Sequence, residues 1–434
     1  MITAIIGRNA SGKTQWVEQF RRQTASDTLR YVAFRDTYGT TVDSQYYLQL
    51  RWNQHDIDAE MPTVRDKLFL YLPPDGTVSP SSHLAELLRL FHLEDALDKY
   101  IITLSSGELR KFQLVKTLMS HPKILILDNP FIGLDAETRQ QLRDLLPVIA
   151  REQHIDLYLV LAKTDDLPEY VDRTLPQPLP VREGGNMSNP TNLPLSVIPP
   201  LPNREGTEEG LSSPVIRMRN VSIRYGERTI LKDLNWTVRN GERWALSGKN
   251  GSGKSTLLSL VCADNPQGYA CDIELFGHQW GESGISIWDI KRHIGYVSPE
   301  LARSYHRDIP AIRIVASGLK DTVGLYVRPT ADELEQCRAW MRVFGIEQLA
   351  DRSFLQLSSG EQRLVLVARA FVKAPELLIL DEPLHGLDNE NRQLVKDVIE
   401  AFCQRPNKTL IMVTHYQEEL PPCITHHLRL ERND

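Results

Sequence analysis

The strongest constraint on this chain is that it repeats itself at fixed intervals. Gly7-Arg8-Asn9-Ala10-Ser11-Gly12-Lys13-Thr14 and Gly248-Lys249-Asn250-Gly251-Ser252-Gly253-Lys254-Ser255 both fit G-x-x-x-x-G-K-[ST]. That is the spacing of a loop that wraps phosphates with its backbone N–H groups. Leu104-Ser105-Ser106-Gly107-Glu108 recurs as Leu357-Ser358-Ser359-Gly360-Glu361, and the run Ile124 to Asp128 recurs as Leu377 to Asp381. Ser105 to Asp128 and Ser358 to Asp381 are each separated by 23 positions. Gly133-Leu134-Asp135 and Gly386-Leu387-Asp388 follow, each ahead of a segment bearing Arg-Gln, at 139–140 and 392–393. Such agreement in order and interval marks a tandem duplication.

The halves are unequal. Domain 1 is expected over 1–174, a linker over 175–214 and domain 2 over 215–434. The linker holds nine of the 26 prolines, with Gly, Ser, Asn and Glu between them, a composition that favours an extended tether over a packed core. In the first half Thr3 to Ile6 reads as a strand feeding the loop, and Gln15 to Arg22 as the helix behind it. Residues from about 60 to 120 show helical periodicity, as at Leu84, Leu87, Leu88 and Phe91. In the second half Val215 to Tyr225 and Leu231 to Val238 alternate like strands before the loop. The first half opens too close to its loop for their equivalents, so its small β-subdomain is expected to be missing or rudimentary.

Bulk composition excludes several classes. With 41% apolar and 24% charged residues, each domain can fill a core. A net charge of −6 gives no strong nucleic-acid signal. No apolar run approaches the ~18 residues a membrane span needs, and the N-terminal residues run straight into a motif rather than reading as a leader. Five cysteines (Cys262, Cys271, Cys337, Cys403, Cys423) show no C-x-x-C pair, as expected for reduced thiols in a cytoplasmic protein.

The chemistry follows from residue type and order. Backbone N–H groups of Gly251, Ser252 and Gly253, at a helix N-terminus, form a nest for phosphate. Lys254 is placed to bridge the β- and γ-phosphates, and the Ser255 hydroxyl and Asp381 to ligate Mg²⁺. Glu382 is placed to orient an attacking water and take its proton. Thr14 and Asp128 are the corresponding metal ligands of the first half.

Paired loops, Leu-Ser-Ser-Gly-Glu signatures and Ile-Leu-Asp strands resemble the ATP-binding cassette (ABC) ATPase family over most of both halves. Residues 265–269 (Asn-Pro-Gln-Gly-Tyr), 275–277 (Leu-Phe-Gly), Ile287 to Val297 and 422–426 (Pro-Cys-Ile-Thr-His) resemble one branch, the ModF-type tandem ATPases associated with molybdate transport. The resemblance implies an α/β fold of two P-loop NTPase domains. Each has a RecA-like mixed-sheet core and a helical subdomain, with an antiparallel β-subdomain in the second. It implies ATP and Mg²⁺ as cofactors, an ATPase activity, and an intramolecular head-to-tail sandwich of the halves. Loop 248–255 then faces Ser105, Ser106 and Gly107, and loop 7–14 faces Ser358, Ser359 and Gly360. Gly248, Asn250 and Thr256, with Gly7, Asn9, Ala10, Ser11, Gly12 and Lys13, join the nucleotide-binding set. His415, after the strand Leu410 to Thr414, matches the family's switch histidine beside the γ-phosphate. Tyr225 stands where the family stacks an aromatic ring on adenine; packing of a strand-end tyrosine on the core is the alternative.

The two sites differ. Asn129 follows Asp128 where Glu382 follows Asp381, and Ala162 aligns with His415. No counterpart of Tyr225 is expected in the first half. An amide can bond to water but cannot take its proton, and losing a positioned base removes roughly 10²–10⁴-fold of rate. The site at loop 7–14 is therefore expected to bind ATP and hydrolyse it poorly. After the strand Gly295-Tyr296-Val297, where the family carries a glutamine that senses nucleotide state, the chain reads Ser298-Pro299-Glu300, and Ala33-Phe34-Arg35 in the first half. Two functions compete. One is an ATPase subunit peripheral on the cytoplasmic face of the inner membrane, partnered with molybdate transporter subunits. The other is a soluble ABC ATPase acting on a ribosome, DNA or another cytosolic partner, although this proline-rich linker is unlike the long charged helical linker of translation factors.

Overall fold

The computed structural model describes residues 1–7, 13–24, 28–33, 62–68, 83–101, 104, 106–131, 134, 136–161, 167–175, 214–226, 228–249, 251–299, 301, 305, 308–322, 328–414 and 416–431, with the backbone alone at 14, 15, 33, 106, 107, 136 and 137. The chain divides into two compact units, Met1–Gly185 and Asn186–Asp434. Nearly all of the expected tether, residues 176–213, lies outside the described residues.

In the first unit β1 (Ile2–Ile6), β2 (Leu29–Ala33), β3 (Ile124–Asp128), β4 (Asp156–Leu161) and β5 (Arg173–Leu175) form one sheet in the order β2-β3-β4-β1-β5. The second unit contributes β6 (Pro214–Tyr225), β7 (Arg228–Arg239), β8 (Arg243–Gly248), β9 (Asp272–Leu275), β10 (His278–Gln279), β11 (Ile294–Val297), β12 (Leu377–Asp381), β13 (Thr409–Val413) and β14 (His426–Leu430). Its five-stranded sheet has the order β11-β12-β13-β8-β14, so the two core sheets correspond strand for strand. Even the registers agree: Asp128 lies beside Val160 and Asp381 beside Val413, while Tyr31 lies beside Ile126 and Tyr296 beside Ile379.

The core sheets, expected to be mixed, are parallel throughout their described strands. Parallel neighbours need crossovers that cover both faces, which is why β12 is a continuous buried run from Leu377 to Leu380 that turns polar only at its tip. Antiparallel pairing gathers in a separate sheet of the second unit, β10-β9-β6-β7. Among the described residues the first unit has no such sheet, in line with the unequal halves read from the sequence.

A helical layer carries the signature segments. In the second unit the helix Ser359–Phe371 buries ten of its 13 residues, and a helix apolar on nearly every side belongs inside a fold rather than on it. It packs with the helices Ala311–Ser317 and Ala331–Val343. The Phe371 ring lies 5.1 Å from Trp340 and 5.5 Å from Phe402. Truncating so enclosed a ring to alanine costs about 3–5 kcal/mol. In the first unit Leu84, Leu87, Leu88 and Phe91 line the buried stripe of the helix His83–Phe91, which packs with the signature helix Ser106–Leu118.

Candidate active site

The sheet order places the candidate groups. β12, β13 and β8 are consecutive and parallel, so Asp381 and Glu382, Thr414 and the loop after Gly248 all leave the same edge. The C-terminal edge of a parallel sheet is where such folds bind ligands. β3, β4 and β1 repeat this arrangement in the first unit.

In the second unit the loop turns on two glycines. At Gly248 a Cβ would meet Leu430 O and Ser252 Oγ at 2.5 Å. Gly253 takes φ +94 as N-cap of the helix Lys254–Val261, and a Cβ there would meet Leu231 Cδ2 at 2.9 Å. Larger residues would push the loop away from its strand and so spoil the nest of N–H groups. Lys254 Nζ donates to the carbonyls of Gly248 at 2.7 Å and Lys249 at 3.0 Å, and Arg228 Nη2 donates to Gly251 O at 3.3 Å. Ser255 is half-buried, while Ser252 and Thr256 are buried. The first unit repeats the lysine contact, with Lys13 Nζ donating to Gly7 O.

Glu382 and Asn129 occupy one and the same backbone position in the two units. Glu382 has φ +50 and donates its N–H to Val413 O at 2.9 Å; Asn129 has φ +52 and donates to Val160 O at 2.8 Å. A left-handed backbone is uncommon for residues other than glycine and is retained where the surroundings enforce it. Their side chains part ways. The Glu382 carboxylate lies 3.8 Å from His385 Nδ1, both side chains 16% exposed. Asn129 Nδ2 donates to Asp128 Oδ1 at 2.9 Å, and Tyr31 donates its hydroxyl to Asp128 Oδ2 at 2.8 Å.

The signature of the second unit is a capping box. Ser358 Oγ accepts from the Glu361 N–H at 3.3 Å, and Glu361 Oε2 accepts from the Ser358 N–H at 2.7 Å. The box satisfies those two donors and leaves the N–H groups of Ser359 and Gly360, at the positive end of the helix, for an acceptor from outside. In the first unit the helix starts at Ser106, and Glu108 Oε1 accepts from Lys99 Nζ at 2.8 Å.

Of the other candidates, Tyr225 was expected either to stack on adenine or to pack on the core. It is 7% exposed, and its hydroxyl accepts from Asn265 Nδ2 at 3.0 Å. That burial is what the core-packing alternative expects. Asn9, Ala10, Ser11, Gly12, Ser105, Asn250 and His415 lie outside the described residues, as do Arg35, Ala162 and Glu300. Thr14, Ser106 and Gly107 are placed through their backbone alone.

Sequence reading missed the polar groups behind the site. Glu419, buried at 6% exposure, accepts from Thr414 Oγ1 at 2.6 Å and lies 3.1 Å from Arg392 Nη2. Burial pushes its carboxyl up, against the hydrogen bond from Thr414 and the Arg392 charge, and the charge of Glu382 adds to the push. The sequence hint is only that Arg392 and Glu419 flank the two motifs.

A family model described as ABC transporter matches residues 1–132 and 231–385. The ABC transporter ATP-binding protein ModF of Escherichia coli (strain K12) is 40% identical over 366 residues, spanning 81% of this chain and 74% of that protein. An uncharacterized ABC transporter ATP-binding protein of Schizosaccharomyces pombe is 30% identical over 402 residues, 89% of this chain and 79% of that one. Among solved structures, the complex of archaeal ribosomal stalk protein aP1 with the ribosome recycling factor aABCE1 aligns at a TM-score of 0.50 and 18% identity, covering 99% of this chain and 83% of that one. At that identity the likeness speaks to the fold alone. With both loops, both signatures and both carboxylate strands present in its sequence, the chain belongs to the ABC transporter ATP-binding family, as a tandem ABC ATPase of the ModF type.

Proposed function

We propose that loop 248–255 holds the ATP that this chain hydrolyses, with Glu382 as general base, while loop 7–14 holds a second ATP that turns over slowly. One observation carries the reading: Glu382 and Asn129 share a backbone position, and one ends in a carboxylate where the other ends in an amide. In the reaction the water oxygen bonds to the γ-phosphorus as the bond to the β–γ bridging oxygen breaks. The electron pair departs with ADP, and the water proton passes to Glu382. Lys254 and the loop N–H groups meet the charge that builds on the phosphate oxygens. Asp381 and Ser255 fit Mg²⁺ by their chemistry. Among the described residues no three His, Cys, Asp or Glu side chains converge, and one carboxylate, one hydroxyl and phosphate oxygens are the hard donors this ion takes. When bound, Mg²⁺ neutralises phosphate charge.

Each site is completed by the other half's signature, Ser105-Ser106-Gly107 for loop 248–255 and Ser358-Ser359-Gly360 for loop 7–14. The capping box at Ser358, with two helix donors left over, supports that role. Steady-state turnover tests the assignment: Glu382→Gln is expected to lower it by about 10²–10⁴-fold, and Asn129→Gln by less than about twofold, the scatter of independent sites. Retained turnover in Glu382→Gln overturns the reading.

The partner is read as an inner-membrane molybdate or related oxyanion transporter. The segments 265–269, 275–277, 287–297 and 422–426 and the 40% identity to the E. coli protein support this. A second reading, a soluble ABC ATPase with a ribosomal, DNA or other cytosolic partner, is favoured by Glu300 and Arg35 standing where the glutamine is expected. Pull-down of ATP-bound Glu382→Gln from solubilised membranes and from ribosomes separates them; enrichment of transporter subunits supports the first, and ribosomal proteins alone refute it.

A further inference from the structure

We propose that Asn265 is a positioning residue of the hydrolytic site. Its side-chain amide straps the helix Lys254–Val261, which carries Lys254 and Ser255, to the end of β6, so that helix and antiparallel sheet are held as one body before ATP arrives. The inference rests on the assignment of hydrolysis to the second unit and Glu382.

Asn265 lies just past the C-terminal end of that helix and is 1% exposed. Its backbone N–H donates to Ser259 O at 3.2 Å, which fixes it to the helix it follows. Its side chain then reaches across to the sheet. Nδ2 donates one hydrogen to Ser259 Oγ at 3.1 Å and the other to the hydroxyl of Tyr225, the last residue of β6, at 3.0 Å. Oδ1 accepts from the Gln267 N–H at 3.1 Å. Ser259 Oγ donates its own hydrogen to Thr256 O at 2.7 Å, one turn nearer the loop. Gln267 adds a second strap to the same strand, its Nε2 donating to Arg224 O at 2.9 Å. At the other end of the helix β7 closes on the loop. Arg228 donates to Gly251 O, and a Cβ on Gly253 would meet Ile230 Cγ2 at 3.1 Å as well as Leu231. One hairpin, β6 and β7, thus meets the helix at both ends.

A buried amide is costly unless its polar atoms are paired. Once they are paired, the network rigidifies its surroundings and selects one arrangement of them. A helix already fixed in its binding geometry has less ordering to undergo when the ligand arrives, and the saving appears as affinity. The first unit supplies an internal contrast. Counted from the matching glycines Gly7 and Gly248, Glu18 stands at the place of Ser259 and Thr24 at the place of Asn265. Glu18 is exposed, and among the described residues no antiparallel sheet accompanies that helix. The half read as hydrolysing slowly has the phosphate loop without the strap behind it.

The test uses the full chain, with kcat, the Michaelis constant for ATP and thermal melting read together. Tyr225→Phe is the sharpest variant, because it keeps the ring and deletes only the hydroxyl that Asn265 holds. It is expected to raise the Michaelis constant by about tenfold, the scale of one buried hydrogen bond. kcat should stay within about twofold, since the strap acts on binding and not on the water, and the melting midpoint should fall by no more than about 4 °C. A ring that serves by stacking or packing alone leaves the Michaelis constant at its wild-type value. Asn265→Leu is expected to raise it at least as far. In that background Tyr225→Phe should add less than about twofold, because the bond is already gone. If Asn265→Leu melts below the assay temperature, Tyr225→Phe alone decides. A wild-type Michaelis constant in Tyr225→Phe, full additivity of the two substitutions, or a kcat that falls as far as the Michaelis constant rises overturns the proposal. Glu382→Gln in the same assay keeps the two readings apart. If that variant still turns over, the site assignment fails; if it is silent while Tyr225→Phe keeps the wild-type Michaelis constant, only the strap fails.

Discussion

Ser358→Ala offers a sharp test of the proposal that each site is completed by the other half. The substitution deletes the Oγ that accepts from Glu361 N at 3.3 Å but leaves Glu361 free to accept from residue 358 N. An N-cap loss costs typically ~1 kcal/mol, and a bond this long belongs in the lower half of that range. In a unit of this size that lowers the melting midpoint by about 2–4 °C at most. The helix stays folded because its stability comes from ten buried residues in the core, not from its cap. The functional effect is then separable from stability. If the signature at Ser358 serves loop 7–14, Ser358→Ala should release the slowly hydrolysed ATP sooner while lowering steady-state turnover less than about threefold. Ser105→Ala, which on the proposed crossed arrangement removes a donor from the hydrolysing site, should lower turnover by about tenfold or more, below the 10²–10³ of a fully preorganised donor. Filter-bound radiolabelled ATP and phosphate release measure the two quantities. If Ser358→Ala costs turnover as much as Ser105→Ala costs it, each loop is served by its own half and the crossed arrangement is wrong.

Two further outcomes follow from particular contacts. Lys13→Ala should reduce the amount of ATP retained per chain and weaken nucleotide-dependent closure while changing kcat at loop 248–255 much less; closure that is untouched would mark loop 7–14 as idle. Burial lowers Lys373 to about 8 from the ordinary 10.5, despite its ion pair with Asp321. Between those values the unfolded chain binds more protons, so stability from this group rises with pH across about 8 to 10.5, by at most about 3 kcal/mol. Urea unfolding at pH 8 and pH 10 should show that gain in the wild type and lose it in Lys373→Met; an equal pH response in both refutes the linkage.

Legibility in the sequence followed the range over which each signal acts. The loops, the signature serines and the strand-tip carboxylates are local patterns, and their common interval of 23 residues anticipated two sheets that match strand for strand. The unequal halves were also readable, since the alternating segments ahead of loop 248–255 became β6 and β7. The burial of Tyr225 was not legible, because its motif position says nothing about Asn265, 40 residues on, which donates to its hydroxyl. The contacts of Glu419 with Thr414 and Arg392 escaped for the same reason. Arg392 and Glu419 are brought together by the packing of a helix on a strand end, and no short spacing reports it. The parallel core strands likewise depend on crossovers that apolar runs alone do not distinguish from antiparallel neighbours.

A single turnover decides the central claim. Full-length protein loaded with radiolabelled ATP and Mg²⁺, then quenched through time and counted for ADP and ATP per chain, should give one fast equivalent of ADP. A second equivalent of ATP should remain intact at least a hundredfold longer, the scale set by a missing base. Two equivalents cleaved at one rate would contradict the division of labour between Glu382 and Asn129.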